Sequence, residues 1–259
     1  MLRYCALVIL LALSFHGFGQ VPARYYAARD QALIILTRED SYRAIEFIEG
    51  LGEPREVMGV FMLMSRDLYW ENHNLQAALA IGRAGIHYAM SAADRLRGRP
   101  DLALELRSEA KSLAYDLSSF CWPGWNEPGI VIDDTALVLA QDLAKVNLRL
   151  ALSLGKGNIP LSRAYWLIGA HHLAVDHHES ARRAFVEGLK YAVAAEAKEQ
   201  ELLMRGYVYL SDMLKDPGND DLDREFEFVL RDLQGTKEGD FYKQQLETAR
   251  SVFIHRTGN

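Results

Sequence analysis

The chain has 259 residues, with 29 basic and 35 acidic side chains, a formal net charge of −6 and only two cysteines. An acidic balance keeps a protein in solution and excludes nucleic acid or anionic lipid as a generic partner. Two cysteines, one of them in the apolar start of the chain, exclude a disulfide framework, so the fold must hold by burial.

Residues 1–19 read as a secretory signal peptide, with an uncleaved anchor as the alternative. Arg3 supplies the positive start, Cys5 to Phe15 an apolar core, and Gly17 and Gly19 the small residues for cleavage before Gln20. The apolar run is too short for an ordinary membrane helix, and no small residue follows Cys5 in the manner of a lipoprotein site. An exported protein, periplasmic or secreted, is therefore expected. After cleavage 28 basic residues stand against 35 acidic ones, a formal charge of −7, and Cys121 is the single thiol. No later segment reaches spanning length without charge, so no stable membrane span is expected.

The remainder reads as helices. Tyr25, Ala28, Ala32, Ile35 and Leu36 mark the first, and Tyr42, Ile45, Phe47 and Ile48 the second, which stops at Gly50. Glu53 and Pro54 open a helix that runs to Trp70, its partner runs from Leu75 to about Leu96, and another runs from Asp101 to about Phe120. Cys121 to Gly129, with two prolines and two glycines, cannot continue a helix and forms a central loop. Its Trp122 and Trp125 have two readings: a ligand platform or partner anchor, or indoles that fold back to plug the end of a helical groove. Asp133 or Asp134 caps a helix that Gly155 stops.

After Pro160 comes the clearest stretch. Ala164, Ile168, His171, His172 and Val175 share one helix face, and Ala181, Phe185, Leu189 and Ala192 share another beyond the polar break Asp176, His177, His178. A turn that short makes the two helices antiparallel neighbours. A helix from Glu199 to Leu214, one capped by Asp221 and a last one from Phe241 to Ile254 complete the chain. No alternating run supports a sheet, so the fold class is all-α. The expected divisions are an N-terminal helical half at 20–121, the tryptophan loop at 122–129 and a C-terminal helical half at 130–259.

Chemistry-bearing residues are sparse. His172 and Asp176 stand four apart, with His177 beside them, a spacing that can share a metal; no HExxH, CxxC or spaced Cys/His set accompanies them, and polar residues are what such turns contain. There is no GxSxG elbow, Cys121 has no basic neighbour in sequence, and Gly155-Lys156-Gly157 lacks the spacing of a phosphate loop. No cofactor is expected, and the chain reads as non-catalytic.

Tyr165, Ile168, Gly169, His172, Ala181, Phe185 and Gly188 follow the order and spacing of a large aromatic, an aliphatic, a small residue, an aromatic, then Ala, Phe and a small residue. Phe61, Met64, Ser65, Leu68, Ala77, Ile81 and Ala84 repeat that spacing, and Leu203, Gly206, Tyr207 and Leu210 hold part of it. In these residues the chain resembles the tetratricopeptide repeat family, departing from it in His172 and in lacking a proline near Val193. The resemblance implies an α-solenoid of about ten helices wound as a right-handed superhelix. It also implies a concave groove, formed by the first helices of the pairs, that binds a protein or peptide segment. Carried over by position, the partner-binding residues are Arg66, Tyr69, Trp70, Arg163, Trp166 and Tyr207, with Met62, Ala170 and Leu203 beside them; the other reading of the aromatics is that they pack against adjacent helices. The expected function is an exported, non-catalytic scaffold or adaptor. The alternatives are a metal-binding protein or hydrolase using the histidine cluster, or a small-ligand binder of an envelope system. Self-association is left open.

Overall fold

The computed structural model describes residues 21–96 and 98–257. The expected signal peptide lies outside the described residues. Within them the chain is all-α, with eleven helices and no strand. None of these helices is long and apolar enough to cross a membrane.

The described residues fall into two compact units. One holds residues up to Phe120 together with Gly129–Val131, and the other holds Cys121–Pro128 and everything from Ile132 on. The first unit contains α1 (Ala23–Arg38), α2 (Ser41–Glu49), α3 (Pro54–Trp70), α4 (Leu75–Arg95) and α5 (Pro100–Phe120). Asp40 caps α2 through the Arg43 N–H, Pro54 opens α3 at the one place in a helix where its missing N–H costs nothing, and Asn74 caps α4 through the Ala77 N–H. Each helix packs on the next, and α1 also meets α3, α2 meets α4, and α3 meets α5. Contact between every second helix is how stacked hairpins bury the faces that a single hairpin leaves open. α3 and α5 run parallel: Arg55 reaches Glu105 and Arg66 reaches Asp116, each pair 50 residues apart.

The second unit opens with a single 3₁₀ turn, Pro123–Trp125, and continues with α6 (Asp134–Ser153), α7 (Asn158–Ala174), α8 (His178–Ala194), α9 (Lys198–Lys215), α10 (Asp220–Leu233) and α11 (Gly239–Thr257). Neighbours again pack in order, with α7 touching α9 and α9 touching α11. Three consecutive turns are built alike. Gly155, Asp176 and Glu196 each take a left-handed conformation, and the N–H of the following residue returns to the carbonyl five residues back: Lys156 to Ala151, His177 to His172, Ala197 to Ala192. These are Schellman-type helix ends, which satisfy carbonyls that the end of a helix leaves open.

Small residues set how closely the helices approach. A Cβ at Gly169 of α7 would lie 2.5 Å from the Phe185 ring of α8, and one at Gly82 of α4 would lie 2.6 Å from the Leu117 methyls of α5. Each glycine is the hole that receives a large side chain from the paired helix.

Three local expectations are corrected. α7 begins at Asn158, so Pro160 lies inside its first turn, where the ring is tolerated. α8 begins at His178, so only His177 of the two flanking histidines precedes it. Asn219 rather than Asp221 caps α10, its Oδ1 accepting from the Asp221 N–H at 3.1 Å.

Gly169→Val is expected to lower stability by about 1–3 kcal/mol through overpacking, whereas Gly157→Ala, with nothing within 4 Å of the new methyl, stays within about 0.5 kcal/mol of wild type. Glu196→Gly is expected to stabilise by roughly 1 kcal/mol, because it relieves a left-handed non-glycine residue. Thermal and denaturant unfolding of the three variants checks both statements.

Candidate functional site

The residues assigned to a groove by resemblance are placed differently from one another. In the first unit Arg66 is 8% exposed; its Nε and Nη2 both donate to Asp116 Oδ2, at 2.9 and 2.7 Å. Tyr69 is buried and stacks on Phe120 of α5 with centroids 4.0 Å apart, while Trp70 is half-buried and meets Phe120 edge-on. Met62 is buried too.

In the second unit Trp166 is 2% exposed and Tyr207 is fully buried. Both lie in an aromatic cluster centred on Trp122, whose ring centroid is 5.2 Å from Trp166 and 5.9 Å from Tyr207. The Trp122 indole N–H donates to the Ala170 carbonyl at 3.1 Å, which ties the 3₁₀ turn to α7. Trp125, half-buried, packs edge-on against Trp122 and tilted against Trp166. The 3₁₀ turn also packs on α11, so the loop covers faces of α7 and α11 that a bare hairpin stack would leave open.

Arg163 is placed otherwise. It lines an open cleft of about 350 Å³, with Ile159, Lys198, Gln200, Thr236 and Tyr242 around it. The starts of α7, α9 and α11 build this cleft. Asn158 donates its side-chain amide to the Ala194 carbonyl at 3.1 Å, fixing the start of α7 against the end of α8. Glu199 Oε1 accepts the Glu238 N–H at 3.0 Å, and Glu238 Oε2 accepts the Tyr242 hydroxyl at 3.1 Å. One oxygen of each carboxylate in the cleft is thereby committed to its own framework. Lys198 lies 3.6 Å from Glu201. Arg163 makes neither a hydrogen bond nor an ion pair with any described residue.

Gln200, which periodicity does not single out, is 5% exposed and lines the same cleft with its amide unpartnered. α9 has Ala197 at its N-cap and no side chain capping its first turn. The only sequence signal for this arrangement is a negative one, the lack of Ser, Thr, Asp or Asn before Lys198.

The histidine cluster does not assemble a ligand set. His172 and His177 have ring centroids 6.1 Å apart, and the Asp176 carboxylate turns instead toward His178, at 3.7 Å. Burial, and then the neighbouring His177, lower the His172 pKa, so its ring stays neutral to lower pH than a free imidazole. Among the described residues no group of three His, Cys, Asp or Glu side chains is disposed to hold a metal. Burial and the nearby Asp133 push the Cys121 thiol up to about 12, where it is no nucleophile at neutral pH.

A buried acid that sequence reasoning missed lies in the first unit. Glu109 of α5 is 5% exposed and neither carboxylate oxygen has a hydrogen-bond partner. Burial and then the Glu105 charge push its pKa up to about 8, with Arg55 pulling the other way. Nothing marks it in the sequence, since a single Glu in a charged helix reads as solvated.

Comparison with known proteins brings no match: no family model, no curated protein and no solved structure matches this chain.

Because the folded state holds the Glu109 proton to about pH 8 while an unfolded chain releases it near 4.5, the stability this group contributes is complete below about pH 4.5 and is lost as pH rises through about 8. Glu109→Gln is expected to remove that part of the slope, so its unfolding free energy gains on wild type between those pH values; equal slopes in chemical denaturation would contradict the assignment.

Proposed function

We propose that the chain is an exported, non-catalytic adaptor, built of tetratricopeptide-like hairpins, that holds a segment of a protein partner. The observation that carries this reading is the contact of every second helix, α1 with α3, α3 with α5, α7 with α9 and α9 with α11. That is the arrangement expected of hairpins stacked as repeats. Two details support the family likeness. Gly169 receives the Phe185 ring at the positions where the repeat pattern calls for a small residue and a Phe, and the turns after α6, α7 and α8 share one backbone construction. Export is supported by Arg3, the apolar run from Cys5 and the small residues before Gln20.

Among the residues picked by resemblance, Arg163 offers a partner an open surface with unspent donors, and the cleft around it is the contact point we assign. Trp166 and Tyr207 pack in the core, where truncating a large aromatic costs about 3–5 kcal/mol. Loss of binding in such variants would report unfolding. Arg163, half-buried and unpaired, can be changed without that penalty.

The test is affinity capture from native envelope extract with the chain from Gln20 to Asn259, wild type against Arg163→Glu, both verified as folded by circular dichroism. A partner held by wild type and reduced roughly tenfold or more by the charge reversal is expected. Capture of the same proteins by both forms, or of none, would sink the adaptor reading.

A further inference from the structure

The cleft at the start of α9 holds several unspent hydrogen-bond donors. Its two carboxylates each give one oxygen to the framework, Glu199 Oε1 to the Glu238 N–H and Glu238 Oε2 to the Tyr242 hydroxyl. The Arg163 guanidinium carries five donors and no partner. Gln200 is largely enclosed by protein and lines the opening with no protein partner for its amide. The first-turn N–H groups of α9 lack a capping side chain and carry the positive end of the helix dipole. Arg163, Lys198 and Gln200 are all cleft residues, so these donors share one opening of about 350 Å³. That volume is at the small end of the range for ligand clefts and too small for a helix or an extended strand.

We propose that this cleft binds an oxyanion, a carboxylate or a phosphate, received by Arg163, by the Gln200 amide and by the free backbone N–H groups of the α9 first turn. A planar guanidinium meets either oxyanion through paired hydrogen bonds. Lys198 at the rim, 3.6 Å from Glu201, adds a positive charge without geometry of its own, and Glu199 and Glu238 are the groups that oppose binding. The adaptor reading enters here only as the source of the anion, an acidic or phosphorylated group of the partner segment; the site itself stands on the cleft.

The experiment titrates the full mature chain with glutarate in one arm and inorganic phosphate in the other, following the amide resonances of Lys198, Glu199 and Gln200 and the Arg163 Nε signal by NMR. A saturable shift of these signals is expected with at least one probe, and the arm that saturates at lower concentration identifies the oxyanion. Arg163→Ala should weaken it roughly tenfold or more, and Glu199→Gln, which keeps an acceptor for the Glu238 N–H, should tighten it. The proposal is overturned by the absence of saturable shifts in both arms, by equal affinity in Arg163→Ala, or by failure of Glu199→Gln to tighten binding. Binding of a probe without capture of any partner leaves this site standing and removes the adaptor reading. Capture that depends on Arg163 without binding of either probe does the reverse.

Discussion

The contact on which the stack depends is a large side chain set into the gap left by a glycine. Phe185 against Gly169 brings α8 close to α7, and Leu117 against Gly82 does the same for α5 and α4. Helices at that spacing bury their facing sides almost completely, and α7, apolar around most of its circumference, is buried on nearly every side. A hairpin so formed still exposes its outer faces. Each unit answers this by packing every second helix together, and the second unit adds an aromatic loop anchored by a hydrogen bond from Trp122 to α7.

Helix existence was legible throughout, because caps and stops are local chemistry. Asp40, Asn74 and Asp133 each accept the N–H that their position predicts, and Gly155 ends its helix in the left-handed conformation. The cap of α10 was misplaced by two residues: Asn219 takes the place expected of Asp221. The fate of individual side chains was much less legible. Tyr69 and Trp166 have the composition of a binding surface, but periodicity reports which side of a helix is apolar, not how many neighbours it will have. Arg163 and Gln200 meet only because three helix starts converge, and no local pattern encodes a convergence of residues so far apart in the chain.

Charge is used inward as well as outward. The parallel seam between α3 and α5 carries Arg55 with Glu105 and Arg66 with Asp116, and places Glu109 between them without a cation of its own. Three acids against two arginines leave one carboxyl that is most easily accommodated with its proton on. The buried Arg66–Asp116 pair and the exposed Arg55–Glu105 pair each contribute little net stability, yet both penalise any sliding of one helix along the other, since a shift by one turn would strand both arginines. The seam therefore fixes register where apolar packing alone would tolerate slippage.

Cys121 has a consequence of a different kind. Its thiol is buried at the entry to the tryptophan loop and holds its proton far above neutral pH. In an oxidising compartment such a sulfur neither cross-links to another chain nor accumulates oxidised forms while the second unit stays closed. It acts as a silent clock within the fold: alkylation or oxidation at this atom accumulates only with the time the unit spends open, so the chemical history of one sulfur records the breathing of the helices around it.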